Sequence, residues 1–215
     1  MAFINKTLNK KNFFPSKKMG QNFLTNTEVI NNICENIPDL SSYDCVIEIG
    51  PGFGAITSHL VCVCPHLICI ELDKRLHAEL KTKFLNKKNI ELINDDFLKI
   101  DLQKICKPYK RIMIIANIPY SITTPIILKC LSFYKIKTLY IMVQKEVADK
   151  WIYSKTSNRN ASTNIINYYF DNRVLVNKLL IYWQYPLIYR LSFDMPTQQF
   201  ANHPLCVDVL VTTMD

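Results

Sequence analysis

Cys45-Val46-Ile47-Glu48-Ile49-Gly50-Pro51-Gly52-Phe53-Gly54 holds three of the four glycines in a chain of 215 residues. A short apolar run enters the turn, and the residues from Gly54 to about Val63 have helical character. Glycine is required where backbone must take a positive φ or come close to another group, because a Cβ would clash there. A strand that runs into a glycine-rich turn and then a helix is the nucleotide-site design of open α/β sheets, although a tight turn without a ligand has the same local sequence.

Outward from this turn the pattern repeats. Leu67–Ile70, Ile90–Ile93, Arg111–Ala116 and Leu139–Val143 are short apolar runs, and helical segments lie between them: Asp73 to about Leu85, a segment opening at Thr124-Pro125 and running to Leu131, and Lys145–Tyr153. Before the first strand, Thr25-x-x-Glu28 has the form of a capping box opening a helix of Val29, Ile30, Ile33 and Ile37. Thr124 reads as an N-cap with Pro125 at the first helical position. Short strands apolar on both faces, alternating with helices, predict an α/β fold with a largely parallel sheet covered on both sides. Beyond Trp151 the pattern loosens into a polar loop at Ser154–Asn160 and candidate strands at Asn164–Phe170, Leu179–Trp183, Leu187–Leu191 and Val207–Val211.

Composition bounds the class. A 49% hydrophobic chain of this length is enough for one α/β domain with a short extension. The formal net charge of +8 suits a polyanionic partner. The 21 lysines against 5 arginines also fit an AT-rich coding bias. Lys6, Lys10, Lys11, Lys17 and Lys18 precede the first acidic residue, Glu28, which makes a basic arm of about residues 1–13. No signal-peptide pattern and no membrane-length apolar run is present, and the eight cysteines contain no Cys-x-x-Cys pair. A reduced, cytoplasmic protein is therefore expected. His59, Cys62, Cys64 and His66 are close in sequence but have no standard zinc spacing, so no metal is expected.

Ligands of parallel sheets bind at the carboxyl ends of the strands, and the unusual residues fall there. Glu71 lies 21 residues after Gly50, where a carboxylate can accept from both ribose hydroxyls of a nucleoside cofactor. The turn reads G-x-G-x-G, which is neither the dinucleotide fingerprint nor a phosphate-binding P-loop. A cofactor with ribose and no pyrophosphate fits better, and S-adenosylmethionine leads. Asp96, after the third strand, can accept from an exocyclic amine. Asn117-Ile118-Pro119-Tyr120 offers an amide oxygen, a neighbouring carbonyl, a rigid proline and an aromatic plate. Two acceptors can orient an amino group for methyl transfer, and a tyrosine can stack on the base that carries it.

The chain resembles the KsgA/RsmA family of rRNA adenine N6-dimethyltransferases, whose close relatives are the Erm resistance methyltransferases. The resemblance is carried by Lys18-Met19-Gly20-Gln21-Asn22-Phe23-Leu24, Glu48 to Gly54, Ile70-Glu71-Leu72-Asp73, Asp95-Asp96-Phe97, Ala116 to Tyr120 and Val143-Gln144-Lys145-Glu146-Val147-Ala148. It implies a Rossmann-like S-adenosylmethionine-dependent methyltransferase fold over residues 14–170. Asn22, Leu24, Gly50, Gly52, Gly54, Glu71, Asp96 and Asn117 would line the cofactor site. Asn117, Ile118, Pro119 and Tyr120 would hold the target adenine.

The implied reaction methylates two adjacent adenosines near the 3′ end of small-subunit rRNA in ribosome biogenesis. The implied partner is that rRNA or the pre-30S particle, and the enzyme is expected to be a monomer. The alternatives are an Erm-like enzyme of the large subunit and a non-catalytic RNA-binding or ribosome-assembly protein on the same fold. Phe200–Asp208 is a degraded echo of the family's F-x-P-x-P-x-V segment, and Arg173–Gln199 is longer than the resemblance predicts. Residues 171–215 are expected to form a divergent segment completing the sheet, without the family's small helical C-terminal domain.

Overall fold

The computed structural model describes residues 23–117 and 119–144, together with the strand segments 172–179, 188–194 and 206–212. The five strands expected from the sequence form as β1 (Cys45–Ile49), β2 (Leu67–Ile70), β3 (Ile90–Ile93), β4 (Ile112–Asn117) and β5 (Ile136–Gln144). They are parallel and lie in the order β3-β2-β1-β4-β5. Three further strands, β6 (Asn172–Leu179), β7 (Ile188–Asp194) and β8 (Cys206–Thr212), extend the sheet to eight. β8 pairs with β5 in parallel, and β7 and β6 follow in antiparallel pairing. The candidate strand at Asn164–Phe170 and the helix at Lys145–Tyr153 lie outside the described residues.

The two faces of the sheet carry separate cores, as side-chain alternation along a strand requires. One face sends Cys45, Ile47, Ile49, Ile68, Ile70, Ile112 and Ile114 against α4 (Leu102–Ile105) and α5 (Tyr120–Leu131). The other sends Val46, Leu67, Cys69, Met113 and Ile115 against α1 (Thr27–Glu35), α2 (Thr57–Val63) and α3 (Lys74–Lys83). Burial of strand residues on both faces explains why these strands read as continuous apolar runs.

Two helix starts differ from the sequence expectation. α1 is capped by Asn26, whose side chain accepts from the Glu28 and Val29 amides at 2.9 and 3.3 Å, and not by Thr25. α5 opens at Tyr120 with Pro119 as N-cap, five residues before Pro125, which sits inside the helix. Proline there removes the amide that would bond the Ser121 carbonyl, but Ser121 is exposed and water can satisfy it. The helix thus starts directly beyond β4, and its amino end faces the carboxyl edge of the sheet.

Candidate cofactor and methyl-transfer site

β1 delivers the glycine turn. Gly50, Gly52 and Gly54 all have positive φ, at 68°, 61° and 73°. A Cβ on Gly52 would stand 3.3 Å from the Phe23 ring, and one on Gly54 would stand 3.0 Å from both Leu80 and Phe84. The turn is pinned by three groups. The Gly52 amide donates to Glu71 Oε2 at 3.0 Å, and the Gly54 carbonyl accepts from the Ser58 hydroxyl at 2.6 Å. Lys83 Nζ donates to the Phe53 and Gly54 carbonyls at 3.0 and 2.9 Å.

β2 delivers Glu71, which is only 5% exposed. Its two oxygens are divided between two backbone donors: Oε2 takes the Gly52 amide, and Oε1 takes the Asp73 amide at 2.9 Å. A carboxylate has about four acceptor directions, so each oxygen keeps capacity for a ligand hydroxyl. Burial raises the Glu71 pKa, and the Asp73 and Gly52 amides act against that rise. Asp73 in turn caps α3 by accepting from the Arg75 amide at 2.9 Å. Asn94, at the end of β3, donates to the Glu71 carbonyl at 2.7 Å and holds this edge in place.

Under the turn lies Glu48, 3% exposed, accepting from the Thr57 hydroxyl at 2.7 Å. Burial pushes its carboxyl up to about 7, and the Thr57 and Cys69 hydrogen bonds and the Lys83 charge hold it from going higher.

β3 leads to Asp95 and Asp96. Asp95 Oδ1 accepts from the Asp96 amide at 2.7 Å, and Asp96 Oδ1 accepts from the Leu98 amide at 3.0 Å. β4 ends in Asn117, and Pro119 and the start of α5 follow. These strand ends surround one cleft of about 140 Å³, whose lining includes Leu24, Gly50, Gly52, Glu71, Asp96 and Asn117.

Of the residues expected at the site, Leu24, Gly50, Gly52, Glu71, Asp96, Asn117 and Pro119 line this cleft. Gly54 supports it from behind, packed on Leu80 and Phe84. Asn22 and Ile118 lie outside the described residues, and Tyr120 is placed by its backbone as the first residue of α5.

The cleft also draws in residues to which sequence reasoning assigned no role. Phe23 packs on Phe53 with ring centroids 4.9 Å apart, and Phe97 and Asp95 join the lining. Phe23 and Phe97 belong to the motifs that carried the resemblance, which was the available signal. His59, Cys62, Cys64 and His66 do not converge. Cys62 and Cys64 donate to the Ser58 and Leu60 carbonyls, and His66 packs on Tyr109. Among the described residues no group of three His, Cys, Asp or Glu side chains could hold a metal ion.

The donor set fits a nucleoside ligand carrying a methionine-like chain. The turn exposes backbone that a Cβ would obstruct, a buried carboxylate keeps acceptor capacity, and apolar residues such as Leu72, Phe97 and Ile122 wall the cleft. The parallel sheet with this turn and this acidic strand end defines a Rossmann-like methyltransferase fold.

Among solved structures, the chain is similar to a dimethyladenosine transferase from Plasmodium falciparum. That match has 28% identity and a TM-score of 0.56, covering 69% of this chain and 53% of that one. It is similar also to the 23S rRNA methyltransferase ErmE, at 34% identity and a TM-score of 0.51, covering 60% of this chain and 50% of that one. The ribosomal RNA small subunit methyltransferase A of Ureaplasma urealyticum is 42% identical over 180 residues, which are 80% of this chain and 63% of the relative. The chain thus spans less than two thirds of that relative's length. Residues 12–179 match the family described as Ribosomal RNA adenine dimethylase, and the chain belongs to that family.

Proposed function

We propose that the chain is an S-adenosylmethionine-dependent rRNA adenine N6-dimethyltransferase acting on two adjacent adenosines near the 3′ end of small-subunit rRNA. The observation that carries this reading is the convergence of the glycine turn, Glu71, Asp96 and Asn117 on one cleft at the carboxyl edge of the sheet. The small-subunit target is supported by relatives named for that subunit, at 42% and 38% identity.

S-adenosylmethionine, when bound, supplies a methyl group already activated on a sulfonium. The part left to the protein is to bind, orient and exclude water. Gly50 and Gly52 let backbone approach the donor, Glu71 accepts from its ribose hydroxyls, and Asp96 accepts from its adenine amine. Asn22 and Leu24 complete that site by family resemblance. The Asn117 amide oxygen and the Ile118 carbonyl accept from the amino group of the target adenine. An aryl amine is a weak nucleophile because its lone pair is delocalised into the ring. Two acceptors on its N–H groups favour a pyramidal nitrogen and the positive charge that develops there. Pro119 restricts the backbone that holds both acceptors. Tyr120 is assigned to stacking on the flipped base.

We further propose a basic arm at residues 1–13, a methyltransferase domain at 14–170, and a segment at 171–215 that completes the sheet. The pairing of β8 with β5 supports the last of these. A monomer working in the cytoplasm on the pre-30S particle fits this function. Among the described residues no helix is long and apolar enough to cross a membrane.

The test is methylation of undermethylated 30S subunits with labelled donor, followed by mapping of the modified base. Label in adjacent adenosines near the 3′ end is expected. Label confined to 50S subunits would favour the large-subunit alternative, to which the likeness to ErmE points. Donor binding without label in either subunit would favour the non-catalytic alternative.

A further inference from the structure

The glycine turn is held from outside the cleft by a cation. Lys83, the last residue of α3, is an exposed residue that turns its ammonium onto the Phe53 and Gly54 carbonyls, 30 and 29 residues earlier in the chain. The ammonium passes 5.2 Å from the Phe84 ring centroid, and Phe84 also packs on Gly54. Partial desolvation lowers the Lys83 pKa, and the charge of Glu48, buried beneath the same turn, opposes that shift.

A trans peptide is planar, so its carbonyl and the following N–H point in opposite directions. The Gly54 carbonyl, which accepts from Lys83 and from the Ser58 hydroxyl and amide, therefore sets the Ala55 N–H on the other side, and Ala55 lines the cleft, while the Gly54 N–H donates to the Pro51 carbonyl at 2.9 Å. Gly52 packs on Phe23, Gly54 packs on Leu80 and Phe84, and Ser58 also holds the Gly54 carbonyl, so Lys83 acts with these groups to order glycines that lose more conformational freedom on ordering than any other residue. Hydrogen bonds from an ionised donor are about twice as strong as neutral ones.

We infer that Lys83 is a positioning residue for the S-adenosylmethionine site, orienting the Phe53–Gly54–Ala55 peptides through two charge-assisted bonds on the side of the turn away from the donor. The inference rests on the assignment of the cleft to S-adenosylmethionine. Lys83 touches neither donor nor target adenine, so its loss should raise the donor's Kd and KM and leave the rate at saturating donor and the KM for RNA near their original values.

The test is calorimetric titration of S-adenosylmethionine into the 215-residue chain and into its K83M and K83R variants, with steady-state methylation of 30S subunits alongside. K83M keeps the stem and removes both bonds, so its Kd should weaken about tenfold. K83R keeps a cation with several donors and should recover most of that loss. Should K83M fail to fold by circular dichroism, K83Q takes its place, with an expected Kd between those of K83R and the unaltered chain weakened tenfold.

Failure of the unaltered chain to bind donor overturns the assignment of the cleft, and the role of Lys83 with it. Binding by the unaltered chain with an unchanged Kd in K83M, or in K83Q where that variant is used, overturns the role of Lys83 alone. So does a loss that K83R does not recover, or a lower melting temperature with unchanged donor affinity.

Discussion

A Cβ built on Gly50 would stand 3.6 Å from the Asn117 carbonyl oxygen. The turn assigned to the methyl donor and the residue assigned to the methyl acceptor are thus in van der Waals proximity. The reason is the sheet: β1 and β4 are hydrogen-bonded neighbours, with Ile49 opposite Ala116, so the residues that follow each strand emerge side by side. The proximity that a transfer reaction needs is set by strand order before any ligand is present.

Gly50 and Gly54 should respond differently to alanine. Both have positive φ, which costs a residue with a side chain about 1–2 kcal/mol. At Gly50 the added methyl meets only ordinary contact, whereas at Gly54 it lies 3.0 Å from Leu80 and Phe84. G54A should therefore lower the stability read from urea unfolding by about 1 kcal/mol more than G50A. G50A should be the worse methyltransferase of the two, because its methyl stands in the gap between turn and Asn117. Equal stability losses would show that the α3 contacts yield freely.

Asn117→Ala should lower kcat on the order of a hundredfold, the scale seen when one charge-stabilising group is lost from a transition state. Donor affinity should change less than about threefold, since Glu71 and the turn remain. Equal loss of rate and donor affinity, measured by methylation assay and calorimetry, would count against Asn117 as the residue that orients the target amine.

Glu71→Gln should be nearly as harmful to donor binding as Glu71→Ala. Both Glu71 oxygens accept a backbone amide, from Gly52 and from Asp73. An amide side chain can accept on one side only and would turn a donor toward the other N–H, at a cost of about 1–3 kcal/mol. Because burial raises the Glu71 pKa, donor affinity should also weaken on acidification at a higher pH than an exposed glutamate would give. Calorimetry across an acidic series reads both effects, and wild-type affinity in E71Q would remove Glu71 from the ribose site.

The contribution of Glu48 to stability should fall as pH rises from acid into mild alkali. Its folded pKa is about 7 against 4.5 for the free group, so the fold favours the neutral form. The stabilising contribution is complete below the unfolded pKa and is lost as pH rises through the folded one. Glu48→Gln, neutral throughout, should therefore gain stability relative to the unaltered chain as pH rises from 4 to 8, on the order of a few kcal/mol. Parallel stability curves for the two proteins would mean that Glu48 titrates like an exposed carboxylate.

The parts of the site legible in the sequence were those written in local composition. Scarce glycines spent on one turn, an acidic residue ending an apolar run at Glu71, and Asn117 before a proline all announce themselves within a few residues. Burial on both faces made the inner parallel strands equally plain, while β3 at the sheet's edge is only partly buried. What local sequence did not carry was contact across the fold. Lys83 reaches back to residues 53 and 54 only because α3 has a particular length and phase. Phe23 meets Phe53 only after the sheet has formed. The start of α5 is not legible in local sequence, because Thr124-Pro125 satisfies a local capping preference. The helix begins instead at Tyr120, the first residue after Pro119 closes the exit from β4, and tolerates the proline near its exposed end.

Helix α3 has one more consequence. Its amino end is fixed to Glu71 through the Asp73 amide, and its carboxyl end is fixed to the glycine turn through Lys83. Ten residues at 1.5 Å each make it about 15 Å long, and its two ends hold the two groups that the Gly52–Glu71 hydrogen bond joins. Its outer face, with Lys74, Ala78, Lys81 and Thr82 exposed, is open to substitution. Its length is not, because one residue more or fewer would swing Lys83 about 100° around the axis and away from the carbonyls it holds. The helix is a ruler: its identity can drift, but its residue count calibrates the cleft.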